Sequence, residues 1–425
     1  MDRIRSLRAF LDGAHSVYHA VAALEQMLEA AGYNRLEETE NWKLVPGGKY
    51  YLIRGGSGLV AFRVPQGTPK GFLLSAAHAD RPCFKVKENG VLEEKYARLA
   101  VEKYGGMLIA PWLDRPLSIA GRVTVETETG VQSRLIDIDR DLLLIPNVAI
   151  HMNRKANECY AWDLKTDTVP LLGNMKNANR FWEIVEAAAG GKILGHDLYL
   201  YVRQNASVWG VEEEFISAEG LDDLMCAWGC TQGFLNAKTT GNIPVLCVFD
   251  SEEVGSSTYQ GAAADLLEST ISRVCKALGL EEKVQLAGSF MVSADNAHAL
   301  HPNHPELSDS ANAPVINGGV VLKFNANGRY VTDGVSAAVF RKICKSADVP
   351  VQTYYNRADI AGGSTLGNVS LSQVAVPGVD IGLAQLAMHS CYETAGVKDV
   401  SYLVDAMTAY YSTELFLSTD GYCLK

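Results

Sequence analysis

The chain has no surplus of positive charge and no long apolar run. Its 425 residues hold 38 Lys and Arg against 49 Asp and Glu, a formal charge of −11. This balance argues against nucleic acid or an anionic membrane as a partner, since both demand basic surface. No stretch approaches the roughly 18 apolar residues of a membrane-spanning helix. Paired cysteines are also missing. The nine cysteines are odd in number and mostly set in apolar runs, and the one close pair, Cys226 and Cys230, has no second pair to complete a zinc knuckle. Reduced thiols in a core, and a cytoplasmic protein, are expected. The opening residues MDRIRSLRAFLDGAHSVYHAVAALEQ lack the continuous apolar region and cleavage site of a secretory signal.

What remains is an ordinary globular composition, 48% hydrophobic and 20% charged. The length favours two domains, or one large domain with an insertion. Apolar spacing predicts one helix over 5–32, then buried strands at 50–55, 59–64 and 71–77. From 88 to 212 the texture changes. Residues 122–138 alternate like a hairpin turning at Gly130, and 141–154 and 197–203 read as further strands. This span is expected to be an inserted, mainly β domain, leaving 1–87 and 213–425 as the main domain. There a helix starts near Asp222. Strands at 242–250, 289–295 and 376–383 alternate with helical patterns at 258–279 and 335–346, which predicts an α/β architecture on a mixed or parallel sheet.

The strand ends carry the chemistry. VFDSEEVGS leaves an apolar run and places Glu252 beside Glu253, although adjacent carboxylates repel. In open α/β sheets ligands bind beyond the carboxyl ends of the strands. His78, Glu252, Glu253, Asp295 and, after a short loop, His389 all follow such ends, and Asp222 opens a helix beside them. Each motif alone has an ordinary explanation as a cap, a turn or a buried polar residue. Together they suit two hard or borderline divalent cations, zinc first, with cobalt or manganese as alternatives. Asp80, two residues after His78, could orient that imidazole through its second ring nitrogen. One of the adjacent glutamates could ligate while the other handles protons, because side chains at a strand end diverge.

AAHADRPCFKVK (76–87), YGGMLIAPWLDRPLSIAGRV (104–123), IPNVAIHMNR (145–154), EFISAEGLDDL (214–224), FDSEEVGS (249–256), SADNAHALHPNHPE (293–306), LKFNANGRY (322–330) and QLAMHS (385–390), in this order, resemble the aspartyl aminopeptidase family of dizinc metallopeptidases. The resemblance implies an α/β/α aminopeptidase-type catalytic domain with an inserted oligomerisation domain. It implies that His78 and Asp295 hold one metal, Glu253 and His389 the other, that Asp222 bridges, and that Glu252 is the general base. His301 would stabilise the tetrahedral intermediate. Lys323 and Tyr330 would shape the substrate pocket, with Lys323 pairing to an acidic side chain, and His151 would reach a neighbouring subunit's site. The expected substrates are peptides with a free N-terminus, preferentially Asp or Glu, and the expected assembly is dimers building a tetrahedral homododecamer. Gly220, Ser251 and Tyr392 depart from the family's usual residues, which leaves a broader side-chain preference as the alternative. Carboxypeptidase or deacylase chemistry on the same centre, and a non-catalytic assembly protein, are the other readings.

Overall fold

The computed structural model describes residues 2–175, 180–360, 362–363, 365–418 and 421–425. A nine-stranded mixed sheet forms its centre, in the order Asn34–Arg35, Lys49–Arg54, Gly58–Arg63, Ile243–Phe249, Phe72–His78, Phe290–Ala294, Gly378–Gly382, Val320–Phe324, Val351–Tyr355. The four strands from Ile243–Phe249 to Gly378–Gly382 run parallel. All four are buried along their whole length, which is why each reads as a continuous apolar run. Their side chains still alternate between two cores. Leu73, Ala77, Leu246 and Val292 pack into one with the helices Leu221–Asn236, Gly334–Ser346 and Val397–Ser412. Phe72, Leu74, Ala76 and Cys247 face the other, with Leu266–Leu278 and Leu366–Gln373. The result is the expected α/β/α layering.

Between Cys83 and Val202 a separate six-stranded antiparallel sheet forms, in the order Gly130–Asp137, Leu117–Thr127, Ile193–Val202, Cys83–Glu93, Tyr96–Tyr104, Leu171–Asn174. It has its own core around Trp112, Ile119, Val123, Phe181 and Leu198. A third sheet of five short strands (Ser207–Trp209, Phe215–Ala218, Glu393–Gly396, Ala384–Leu386, Ala297–His298) closes the rim where the central parallel strands end. Among the described residues no helix is long and apolar enough to cross a membrane.

Several local expectations change. The single helix over 5–32 is two, Asp2–Leu11 and Val17–Ala30, because Ser16 turns extended and caps the second by accepting the His19 N–H. Residues 141–154 make isolated bridges at Leu143, Leu144 and Ile145 and then turns, since Pro146 cannot continue a ladder. The helix expected from 258 starts at Leu266.

The helices Leu221–Asn236 and Val397–Ser412 pack closely at Gly229 and Gly233. A Cβ on Gly233 would lie 2.4 Å from the Met407 side chain and 2.9 Å from Met407 backbone. The helices cannot keep their spacing around a methyl there, so Gly233→Ala is expected to destabilise the protein by about 1–3 kcal/mol. Thermal denaturation checks this; an unchanged midpoint would show that the helices part without cost.

Candidate active site

The ends of the parallel strands deliver the site. His78 closes its strand; Asp250 to Glu253 follow Phe249; Asp295 follows Ala294; and the strand Gly378–Gly382 leads through Ala384–Leu386 to His389. Asp222 enters from the short strand Phe215–Ala218 through Gly220, whose φ of 69° and close approach to Arg81 suit a residue without Cβ. Asp222 and Asp223 precede the regular helix, with non-helical φ/ψ of −86°/105° and −122°/21°. Glu252 and Glu253 follow the strand Ile243–Phe249 without continuing its extended backbone. They form a turn of 3₁₀ helix, which leaves an oxygen of each carboxylate within 4.8 Å of the other and of a His78 ring nitrogen.

Six of the predicted residues converge in three overlapping groups, the first of which joins His78 with Glu252 and Glu253. One ligand atom from each of His78, Asp222 and Asp295 lies within 4.8 Å of the others, and the same holds for Asp222, Glu253 and His389. Asp222 belongs to both of these groups. Its Oδ1 is 3.6 Å from His78 Nε2 and its Oδ2 is 3.6 Å from His389 Nε2, while His389 Nε2 is 3.4 Å from Glu253 Oε2. These separations are too long for good hydrogen bonds. Two ligands of one tetrahedral zinc, each bonded at about 2.0–2.1 Å, stand roughly 3.4 Å apart. Among the described residues the buried oxygens Asp222 Oδ1 and Glu253 Oε1 have no hydrogen-bond partner. Buried acceptors left unpaired are costly, and cations between these groups would satisfy them. The donor set therefore fits divalent metal.

The electrostatics agree. Burial, helped by the Asp295, Asp222 and Asp80 charges and opposed by His78, pushes Glu252 up to about 8. Burial and the neighbouring Asp222 charge push Glu253 well above the usual carboxylate range. Burial acts the same way on Asp222, but His78 and His389 hold it below its ordinary value.

Asp80 differs from expectation in its contacts. His78 Nδ1 lies 3.1 Å from the Asp80 backbone carbonyl and 3.4 Å from the carboxylate. The carboxylate instead accepts the backbone N–H groups of Glu252 (3.0 Å) and Glu253 (3.1 Å) and the Tyr104 hydroxyl (2.7 Å). It holds the glutamate turn in place and ties it to the second sheet. Sequence reading passed over two further carboxylates. Glu393 accepts the N–H of Asp222 (2.9 Å) and of His389 (2.7 Å), and Asp223 accepts the His78 N–H (3.2 Å). The doubled aspartate was a local signal for Asp223; Glu393 had none. Ser251 and His389 sit at φ of 63° and 68°, where non-glycine residues are uncommon, a strain typical of functional sites.

Lys323 and Tyr330 line the same cleft of about 790 Å³, with the Lys323 ammonium 5.2 Å from the Tyr330 ring centre. Lys323 is not free, however. Its Nζ donates to the Asp295 carbonyl (2.7 Å), Asp295 Oδ1 (3.3 Å) and the Asn296 carbonyl (3.1 Å), which engages all three protons. His301 lies in an adjoining cleft, and His151 is exposed in a turn and does not line its own chain's cleft.

Comparison with known proteins decides the family. A family model described as aminopeptidase I zinc metalloprotease (M18) matches residues 10–411. The chain belongs to the M18 family. It is thus a metallo-aminopeptidase by membership, with relatives to match. The protein called "Probable M18 family aminopeptidase 2" of Pseudomonas aeruginosa is 39% identical, the match covering 95% of this chain and 96% of that one. A solved complex of Ape4 and Nbr1 superposes with a TM-score of 0.93 at 32% identity, covering 96% of this chain and 85% of that one. The S. cerevisiae mApe1 dodecamer gives 0.85 at 27%, covering 96% and 95%.

Glu393→Gln would set an amide N–H against one of the two backbone donors. It is expected to weaken zinc binding about 10–100-fold, the usual effect of losing a group that orients ligands. Chelator competition checks this; unchanged affinity would mean that Asp222 and His389 hold their positions unaided.

Proposed function

We propose that this M18 enzyme uses two metal ions to remove single N-terminal residues from peptides. The observation that carries this reading is Asp222, whose two oxygens each face a different histidine at 3.6 Å. His78 and Asp295 would hold one ion, Glu253 and His389 the other, with Asp222 between them. Zinc is the expected metal, and cobalt or manganese suit the same donors. When bound, the pair supplies Lewis acidity and a water of lowered pKa.

The chain's own residues do the rest. Glu252 stands beside His78 and Glu253 and, among the described residues, its carboxylate accepts no hydrogen bond, so it is available to take a proton from the attacking water and return it to the leaving amine. Burial suits it to that task by raising its proton affinity. Asp80 keeps it aimed by gripping its backbone N–H. His301, in the adjoining cleft, is proposed to stabilise the tetrahedral intermediate. His151, exposed on the second sheet's side, is proposed to complete a neighbouring subunit's site. That role requires self-association through the inserted domain, 88–212, into dimers and a tetrahedral dodecamer, in line with the dodecameric yeast relative. A cytoplasmic location fits nine cysteines that are all unpaired.

For the side chain removed we propose Asp or Glu, with Lys323 and Tyr330 forming the pocket wall. A broader preference is the second reading, favoured by the full engagement of Lys323 Nζ: an acidic side chain would have to displace an existing acceptor.

Glu252→Gln is expected to keep both metals while losing about 10²–10⁴-fold in kcat, the scale of general base catalysis. Metal analysis and peptide hydrolysis check this together; retained turnover would remove Glu252 from the mechanism. With the wild type, a panel of aminoacyl chromogenic substrates separates the two preferences. Asp and Glu substrates no better than Leu or Lys would establish the broader one.

A further inference from the structure

An aminopeptidase closes around the residue on the amino side of the bond it cuts, so the remainder of the peptide needs a separate berth. A second cleft of about 870 Å³ adjoins the first and shares His298, Tyr354 and Gly363 with it, which makes the two one continuous space. Their chemistry differs. Asp222, Glu252, Glu253 and Asp295 line the first, whereas among the described residues no Asp or Glu lines the second. Its polar wall carries His298, His301, Asn356 and Arg357. On a chain of net charge −11, an acid-free hollow directly beside the acidic centre is a local reversal of the prevailing surface.

Arg357 is held for use there. Its Nε and Nη2 fork onto Asp359 at 2.6 and 2.9 Å, and Nη1 donates to the Glu306 carbonyl. A guanidinium has five N–H bonds, so one remains on each terminal nitrogen for a further acceptor. His301 Nδ1 accepts the Asn303 N–H at 3.2 Å, which makes Nε2 the protonated nitrogen of the neutral ring. Asp359 fixes the guanidinium and answers part of its charge, and the N–H groups left over on Arg357, beside the His301 Nε2–H, are positioned donors that a carboxylate can accept.

We infer that the second cleft binds the part of the peptide downstream of the scissile bond and selects a carboxylate there. This rests on the aminopeptidase reading of the first cleft. The carboxylate has two possible sources, an acidic side chain after the bond or the free C-terminus of a dipeptide.

The test uses the metal-loaded enzyme in its native assembly and three substrates with the same N-terminal residue X: X-Ala-amide, X-Ala with a free carboxylate, and X-Glu-amide. At least one carboxylate-bearing substrate is expected to exceed X-Ala-amide about tenfold or more in kcat/KM, mainly through KM, the scale of a charge-assisted hydrogen bond. Which one does so identifies the source. In Arg357→Gln the ratio is expected to fall close to one, and because it is taken within each enzyme, a general loss of activity cancels. Ratios near one in the wild type, or a ratio unaltered by Arg357→Gln, would overturn the inference while leaving the aminopeptidase reading in place. Failure to cleave any of the three, across several choices of X, would strike that reading itself.

Discussion

Concentrated negative charge with little protein cation to balance it governs this molecule. Asp80, Asp222, Asp223, Asp295 and Glu393 are buried around one wall, and Glu252 and Glu253 complete the group. The nearby basic side chains are His78, His389 and Lys323, and Lys323 is already committed to Asp295. Carboxylates taken out of water lose hydration that only a cation or several good donors can replace. The protein supplies donors to some of them. Asp80 and Glu393 each receive two backbone N–H groups, which makes them supports for the reactive residues. Among the described residues Asp222 and Glu253 are left with unpaired oxygens, where metal chemistry is useful.

The fold concentrates this charge because four parallel strands end along a single edge. His78 closes one of them, Asp250 and Asp295 directly follow two others, the fourth reaches His389 through a short rim strand, and two buried cores hold the strands in register. The rim sheet then locks the remaining residues of the site. Ala218 pairs with Glu393, so the segment leading to Asp222 and the carboxylate that grips its backbone are fixed by the same ladder. The second sheet contributes Tyr104, which binds the Asp80 carboxylate and couples that sheet to the glutamate turn. Strain at Ser251 and His389 is tolerated because hydrogen bonds hold each loop: Ser256 N–H to the Ser251 carbonyl at 2.7 Å, and His389 N–H to Glu393.

The substrate recognition proposed for this enzyme is divided in space. One hollow is crowded with acids suited to metal, and its neighbour carries fixed donors with no acid among its described lining. This division gives the reacting bond a natural position at their junction, near His298 and Tyr354.

The sequence alone determined the layered α/β architecture and pointed to the residues that gather at the rim, because buried parallel strands read as unbroken apolar runs and polar residues past their ends fall on one edge of the sheet. It also determined the family, through motifs spread over most of the chain. It did not reveal the break at Ser16 or the turn at Glu252, since both depend on local hydrogen bonds that residue spacing does not encode. Only the tertiary structure decided what Asp80, Glu393 and Lys323 do. Asp80 lies 172 positions from Glu252, and Glu393 lies 171 from Asp222. A side chain's partner at that range is set by how sheets pack, and a carboxylate's role follows from its partner more than from its own identity.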